Sequence, residues 1–163
     1  MAFRVTDQTG LGSSSPTGGG PDGIEGLRVL YAEDHPEMQR AVGRLLKVAG
    51  ASVAIAQDGL EARDRALAET FDVVLMDLRM PNMDGFEAAR ALRAGGCHGA
   101  LIALTADATP AVRAYALAAG FDALLAKPFD LSDLIRAIHL AREWPPRHTS
   151  VPSRAAVQDS GSR

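Results

Sequence analysis

VVLMDLRMPNMDG, residues 73–85, decides how the chain is read. Four consecutive apolar residues lead into a carboxylate, Asp77. Near-continuous apolarity over so short a run signals a strand covered on both faces, as in a parallel sheet. A charge at the tip of such a strand contributes nothing to folding unless something there needs it. Four further runs share the pattern: LRVLYA (27–32), ASVAIA (51–56), ALIALT (100–105) and DALLA (122–126). The segments between them have helical period. Met38, Val42, Leu45, Leu46 and Ala49 make one stripe, and Leu131, Leu134, Ile135 and Ile138 make another.

Helix punctuation agrees with this alternation. Asp58 with Glu61, and Asp84 with Glu87, have capping-box spacing. Thr109 followed by Pro110 reads as an N-cap with proline at the first helical position. Gly50, Gly95 and Gly120 stand where left-handed C-caps are expected. Strands alternating with helices imply an α/β fold, a parallel sheet with helices on both sides.

Composition bounds what this fold can do. A chain of 163 residues suggests one domain. Its 17 basic and 20 acidic residues, net −3, give no electrostatic footprint for nucleic acid or an anionic membrane. One cysteine, Cys97, precludes an intrachain disulfide and fits a reducing compartment. No run approaches the roughly 18 apolar residues of a membrane span, and the N-terminus has no secretion-signal pattern. The expectation is a cytoplasmic domain over residues 27–143. Residues 1–26, which contain GSSSPTGGGPDG, read as a flexible tail or linker, and residues 144–163 as a second disordered tail.

In an open parallel sheet, ligands bind beyond the carboxyl ends of the strands. The first strand ends in Glu33-Asp34, the third in Asp77, the fourth in Thr105 and the fifth in Lys127. Each has an ordinary explanation alone. Asp34 could cap a helix, Thr105 a turn, and Lys127 could be a solvated lysine. Together, three acids, a hydroxyl and an ammonium meet at one edge. Carboxylates 5 Å apart repel by roughly 3 kcal/mol per pair at an effective dielectric of 20. Such a site must protonate a carboxyl or bind a cation, and oxygen donors favour Mg²⁺. An ion with open positions beside a carboxylate and a lysine suits phosphoryl transfer.

LYAEDHPEMQR, VVLMDLRMPNMDGFEAARALR, IALTADA and AAGFDALLAKPF, in this order and spacing, resemble the receiver domain of two-component response regulators. The resemblance covers residues 27–143. It implies a flavodoxin-like (βα)5 doubly wound sheet with strand order 2-1-3-4-5. It implies that Asp77 accepts a phosphoryl group from a phosphohistidine on a histidine kinase or histidine phosphotransfer protein. Asp34, Asp77 and the backbone carbonyl of Arg79 would bind Mg²⁺, with Glu33 reaching the ion through water. Thr105 would hydrogen-bond the phosphoryl oxygen and Lys127 would balance charge. Such a domain catalyses its own phosphorylation and dephosphorylation without turning over an external substrate. The Lys127-Pro128 bond is often cis in this family.

Other positions carry finer expectations. Donor docking maps to His35, Pro36, Met38, Gln39, Ala41 and Phe129. Leu124 stands where the family often has Tyr or Phe, which suggests a receiver that relays or stores phosphate more than one that switches its surface. Similarity to the receivers of hybrid kinases, with a long N-terminal tail, suits tethering to a larger kinase chain. Arg79 and Asp107 are expected to form an ion pair across the mouth of the site. Two rivals stand beside this reading. One is a degenerate receiver acting only as a binding module. The other is a haloacid-dehalogenase-type phosphatase, which needs D-x-D where this chain has Asp77-Leu78-Arg79.

Overall fold

Each apolar run forms a strand and each segment between them a helix. The computed structural model describes residues 23–143. The elements follow as β1 (Arg28–Ala32), α1 (Pro36–Val48), β2 (Ser52–Ala56), α2 (Gly59–Ala68), β3 (Val73–Asp77), α3 (Gly85–Ala94), β4 (Ala100–Thr105), α4 (Pro110–Ala119), β5 (Ala123–Ala126) and α5 (Leu131–Glu143). All strand pairs are parallel, in the order β2-β1-β3-β4-β5. This is the flavodoxin-like arrangement that the resemblance implies.

The sheet divides the core in two. Val74, Met76, Leu101 and Leu124 face α2, α3 and α4 on one side. Tyr31, Leu75, Ile102 and Leu104 face α1 and α5 on the other. The central strands β3 and β4 are buried throughout, which is why their sequences do not alternate. Strand β2, at the edge, is only partly covered.

Register brings the polar strand ends together. Ala32 lies opposite Met76, so Glu33 falls level with Asp77. Asp77 lies opposite Leu104, so Thr105 projects one residue further. Thr105 lies opposite Ala126, and Lys127 follows.

The N-terminal boundary moves outward. Ile24, assigned above to the tail, is 1% exposed and packs on the α1–α5 side. Its neighbours Gly23, Glu25 and Gly26 hide a lone anchor from any test of periodicity. The remaining tail residues, 1–22 and 144–163, lie outside the described residues.

Capping is close to expectation. Asp84 and Glu87 form the reciprocal box. Asp58 accepts from the Glu61 amide, but the Glu61 carboxylate reaches back one residue further, to the Gln57 amide. Gly50 and Gly120 have left-handed backbones, and Gly95 does not: its φ is −82°, and the left-handed residue is Gly96 at 83°. The Gly95 N–H still bonds to the Ala91 carbonyl, so α3 turns one residue later than the sequence suggests.

At the opposite end of the sheet from Asp77, Arg93 on α3 gathers four acceptors. Its guanidinium donates to Asp122 at 2.6 Å and to the carbonyls of Gly120, Cys97 and Gly99 at 2.9–3.0 Å. Asp122 also accepts from the Leu101 amide on β4 at 2.8 Å.

Candidate functional site

The register brings Glu33, Asp77 and Lys127 into direct contact. Lys127 Nζ donates to Asp77 Oδ2 at 2.6 Å and to Glu33 Oε2 at 3.1 Å. Asp77 is 8% exposed and Glu33 fully buried. A buried carboxylate must be paired and hydrogen-bonded, and Glu33 is. Its Oε2 also accepts from the Tyr31 hydroxyl at 3.2 Å. Its Oε1 accepts from the His35 amide at 3.2 Å and lies 3.1 Å from His35 Nδ1. The other Asp77 oxygen, Oδ1, accepts from the Arg79 amide at 2.8 Å.

These contacts shift three protonation equilibria. For Lys127, burial works against the charged form, but the hydrogen bonds and charges of Asp77 and then Glu33 outweigh it and raise the pKa. Burial, followed by the neighbouring Glu33 carboxylate, raises the Tyr31 hydroxyl far above the ordinary tyrosine range. Hydrogen bonding to Glu33, then the Asp34 charge, raises the exposed His35 imidazole.

Tyr31 and Gln39 belong to the site in roles the sequence reading does not assign: Tyr31 has none there, and Gln39 is mapped only to donor docking. Tyr31 precedes Glu33 by two residues on an extended run, so both side chains fall on one face. That spacing was the available signal. Gln39 Nε2 donates to the Glu33 carbonyl at 2.6 Å, bracing the chain where it leaves β1. A tyrosine with a raised pKa contributes stability that is full below its unfolded value, 10.0, and lost as pH rises toward the folded value. In alkaline titration, the tyrosinate absorbance present in wild type and missing from Tyr31→Phe is therefore expected only as the fold opens. Its appearance in folded protein near pH 10.0 would contradict the buried hydroxyl.

Thr105 is buried at the tip of β4, but its hydroxyl is turned into the following loop. Oγ1 accepts from the Asp107 amide at 3.1 Å and lies 3.2 Å from the Asp107 carbonyl. The expected Arg79–Asp107 ion pair is absent among the described residues. Asp107 Oδ1 instead accepts from the Thr109 amide at 3.1 Å, so its carboxylate shapes the turn before α4. Leu124 is 1% exposed and acts as core packing. Of the mapped docking residues, His35, Pro36 and Ala41 are exposed, while Met38 and Phe129 are partly buried against the α1–α5 core. The Lys127-Pro128 bond is cis.

Gly85 does more than turn the chain. A Cβ there would lie 2.5 Å from the Asp77 carbonyl oxygen and 2.9 Å from Leu78 Cα. The start of α3 thus packs directly on the backbone that carries Asp77. Because both neighbours are backbone atoms, Gly85→Ala is expected to destabilise by about 1–3 kcal/mol and to displace Asp77, as read from urea unfolding and amide shifts at residues 77–79.

Among the described residues, one group could share a metal ion through three side chains: Glu33, Asp34 and His35, whose ligand atoms lie within 4.8 Å of one another. Asp77 is outside that set and is tied to Glu33 through Lys127. Carboxylate oxygens predominate, which fits a hard divalent cation such as Mg²⁺. No helix among the described residues is long and apolar enough to cross a membrane.

Known proteins are similar in sequence and fold. The receiver domain of sensor histidine kinase PA1611 from Pseudomonas aeruginosa PAO1, solved with a magnesium ion in its active site cleft, is 36% identical with a TM-score of 0.66. The match covers 70% of this chain and 95% of that one. The receiver domain of the putative response regulator NarL from Mycobacterium tuberculosis is 31% identical with a TM-score of 0.69, covering 73% and 98%. The Saccharomyces cerevisiae Ssk1 receiver, solved in complex with the histidine phosphotransfer protein Ypd1, belongs to a structure that matches at 27% identity and a TM-score of 0.65, covering 69% and 86%. Response regulator MprA of Mycolicibacterium vanbaalenii is 38% identical over 109 residues, 67% of this chain. The match spans 47% of MprA, about half its length. The family model for the response regulator receiver domain matches residues 29–139. A match over that span, on a sheet whose register delivers Glu33, Asp77 and Lys127 to one another, places the chain in the response regulator receiver domain family.

Proposed function

We propose that Asp77 accepts a phosphoryl group from a phosphohistidine carried by a histidine kinase or histidine phosphotransfer protein. The observation that carries this is the Lys127 bridge, which holds Asp77 at 2.6 Å beside the buried Glu33. In the transfer, the bond from phosphorus to the donor imidazole nitrogen breaks as one forms from phosphorus to an Asp77 carboxylate oxygen. The imidazole nitrogen keeps the electron pair and takes a proton from solvent. Asp77 loses its charge, and Lys127 is left facing phosphoryl oxygens in a partly desolvated site, where a fixed cation is most effective. The Arg79 amide orients the nucleophile.

Asp34 and Asp77, with the Arg79 carbonyl and Glu33 through water, would hold Mg²⁺. Bound there, the ion would offset negative charge on the phosphoryl oxygens. The magnesium in the PA1611 receiver supports this assignment, and the Ypd1 complex supports the class of partner. Thr105 would turn from Asp107 to the bound phosphoryl group. The buried Leu124 favours relay or storage of phosphate over an aromatic switch.

The test offers the full chain a radiolabelled phosphohistidine protein that labels a known receiver. Label should pass to this chain with Mg²⁺ present, fail to pass in EDTA, and be released by hydroxylamine, as an acyl phosphate is. A chain that stays unlabelled beside the working control would refute the proposal and favour a degenerate receiver that only binds. The phosphatase reading finds no support, because Leu78 is buried and Arg79 supplies no second acid.

A further inference from the structure

The two faces of the sheet are unequally covered. Three helices, α2, α3 and α4, pack on one side, and only α1 and α5 on the other. The deficit falls at edge strand β2. There Val53 and Ile55 point toward α1 but stay only partly buried. Beside them runs an open groove of about 430 Å³.

One wall of the groove is α1. Arg40, Arg44 and Lys47, spaced i, i+4 and i+7, present three cations on one helical stripe. None of them forms an ion pair among the described residues. Gly43 sits between them, and its missing side chain brings Ile55 to the helix surface: a Cβ there would lie 3.8 Å from Ile55 Cδ1. The overall charge of −3 conceals this local basic stripe over an apolar floor.

We infer that the α1–β2 groove is a docking surface for an acidic amphipathic helix of a partner protein. Charge complementarity selects the occupant. Carboxylates on a helix laid alongside α1 would meet the cation stripe at the same i, i+4 spacing, while its apolar face would cover Val53 and Ile55. Strand addition is disfavoured, because Arg65 Nη1 already donates to the Ile55 carbonyl on the outer edge of β2 at 2.8 Å. The chain's own tails are poor complements. Residues 1–22 carry Arg4, Asp7 and Asp22, a net −1, and residues 144–163 carry Arg147, Arg154 and Arg163 against Asp159, a net +2. The groove runs along the β2 side of α1 and meets the surface mapped for phosphoryl donors only at Gln39, which lines it.

The test titrates the full chain with a synthetic amphipathic helix of about four turns, leucine on one face and glutamate on the other, read by amide shifts. A peptide with lysine in place of glutamate serves as the control. Shifts are expected at residues 39–47 and 52–57, weakening as salt is raised, with the lysine peptide inert. Arg40→Glu with Arg44→Glu should weaken binding at least about tenfold. The milder Arg44→Gln with Lys47→Gln should weaken it less. Both pairs alter only exposed side chains, and circular dichroism checks that each variant is folded. Shifts mapping elsewhere, equal binding of the lysine peptide, or no response to either charge change would overturn the inference. So would preference for anionic vesicles over the peptide, shifts in the groove on deleting residues 1–22, or self-association through these residues in sedimentation.

Discussion

Asp77→Asn is expected to abolish phosphoryl acceptance, lowering hydroxylamine-labile labelling by about 10³-fold or more. The amide is nearly isosteric but not nucleophilic at the oxygen that must attack phosphorus. The fold should survive. The Asn side-chain oxygen can still accept from the Arg79 amide or from Lys127, and Lys127 keeps Glu33 as its counter-charge. The change in stability should therefore stay near 1 kcal/mol. Labelling and urea unfolding on the same samples separate the two effects. Label that persists on the folded variant would place the acceptor elsewhere, with Asp34 the first candidate.

Lys127→Met is expected to cost both stability and transfer. Removing one partner of a buried ion pair costs about 3–5 kcal/mol, because it strands the other charge. Here the lysine side chain is 21% exposed, so water softens the loss to roughly 2–4 kcal/mol. The pH dependence gives a second check. The raised Lys127 pKa means that its contribution is full below the unfolded value of 10.5 and lost as pH rises through the folded value. The stability gap between wild type and Lys127→Met should then be constant through neutral pH and narrow in alkali. A gap that widens in alkali would contradict the bridge. Phosphotransfer should fall by on the order of 10²-fold with the loss of one fixed cation.

Much of this was legible because strand ends are legible. VVLMD and ALIALT end where their apolar runs end, and a parallel sheet sends all such ends to one edge. Asp77 and Lys127 needed only that argument, helped by the strength of the family motif. Properties that depend on which face a side chain takes, or on what it meets across the fold, were harder to see. The Tyr31 hydroxyl reads as one more apolar ring until the i, i+2 relation to Glu33 is set in three dimensions. Gly85 looks like a turn residue until α3 is docked on the Asp77 backbone. Arg79 and Asp107 looked complementary in sequence, yet a carboxylate two residues from an amide finds that amide first. Ile24 carries no periodic signal, since one buried side chain between glycines and an acid has no pattern to extend.

The Arg93 hub has a consequence for how the domain divides its rigidity. Strand β5 cannot detach from β4 at this end without parting Arg93 either from Asp122 and Gly120 or from Cys97 and Gly99. That makes the last third of the domain open with the whole and not by fraying. Amide hydrogens around Leu101 and Asp122 should accordingly exchange slowest, at the rate of global unfolding.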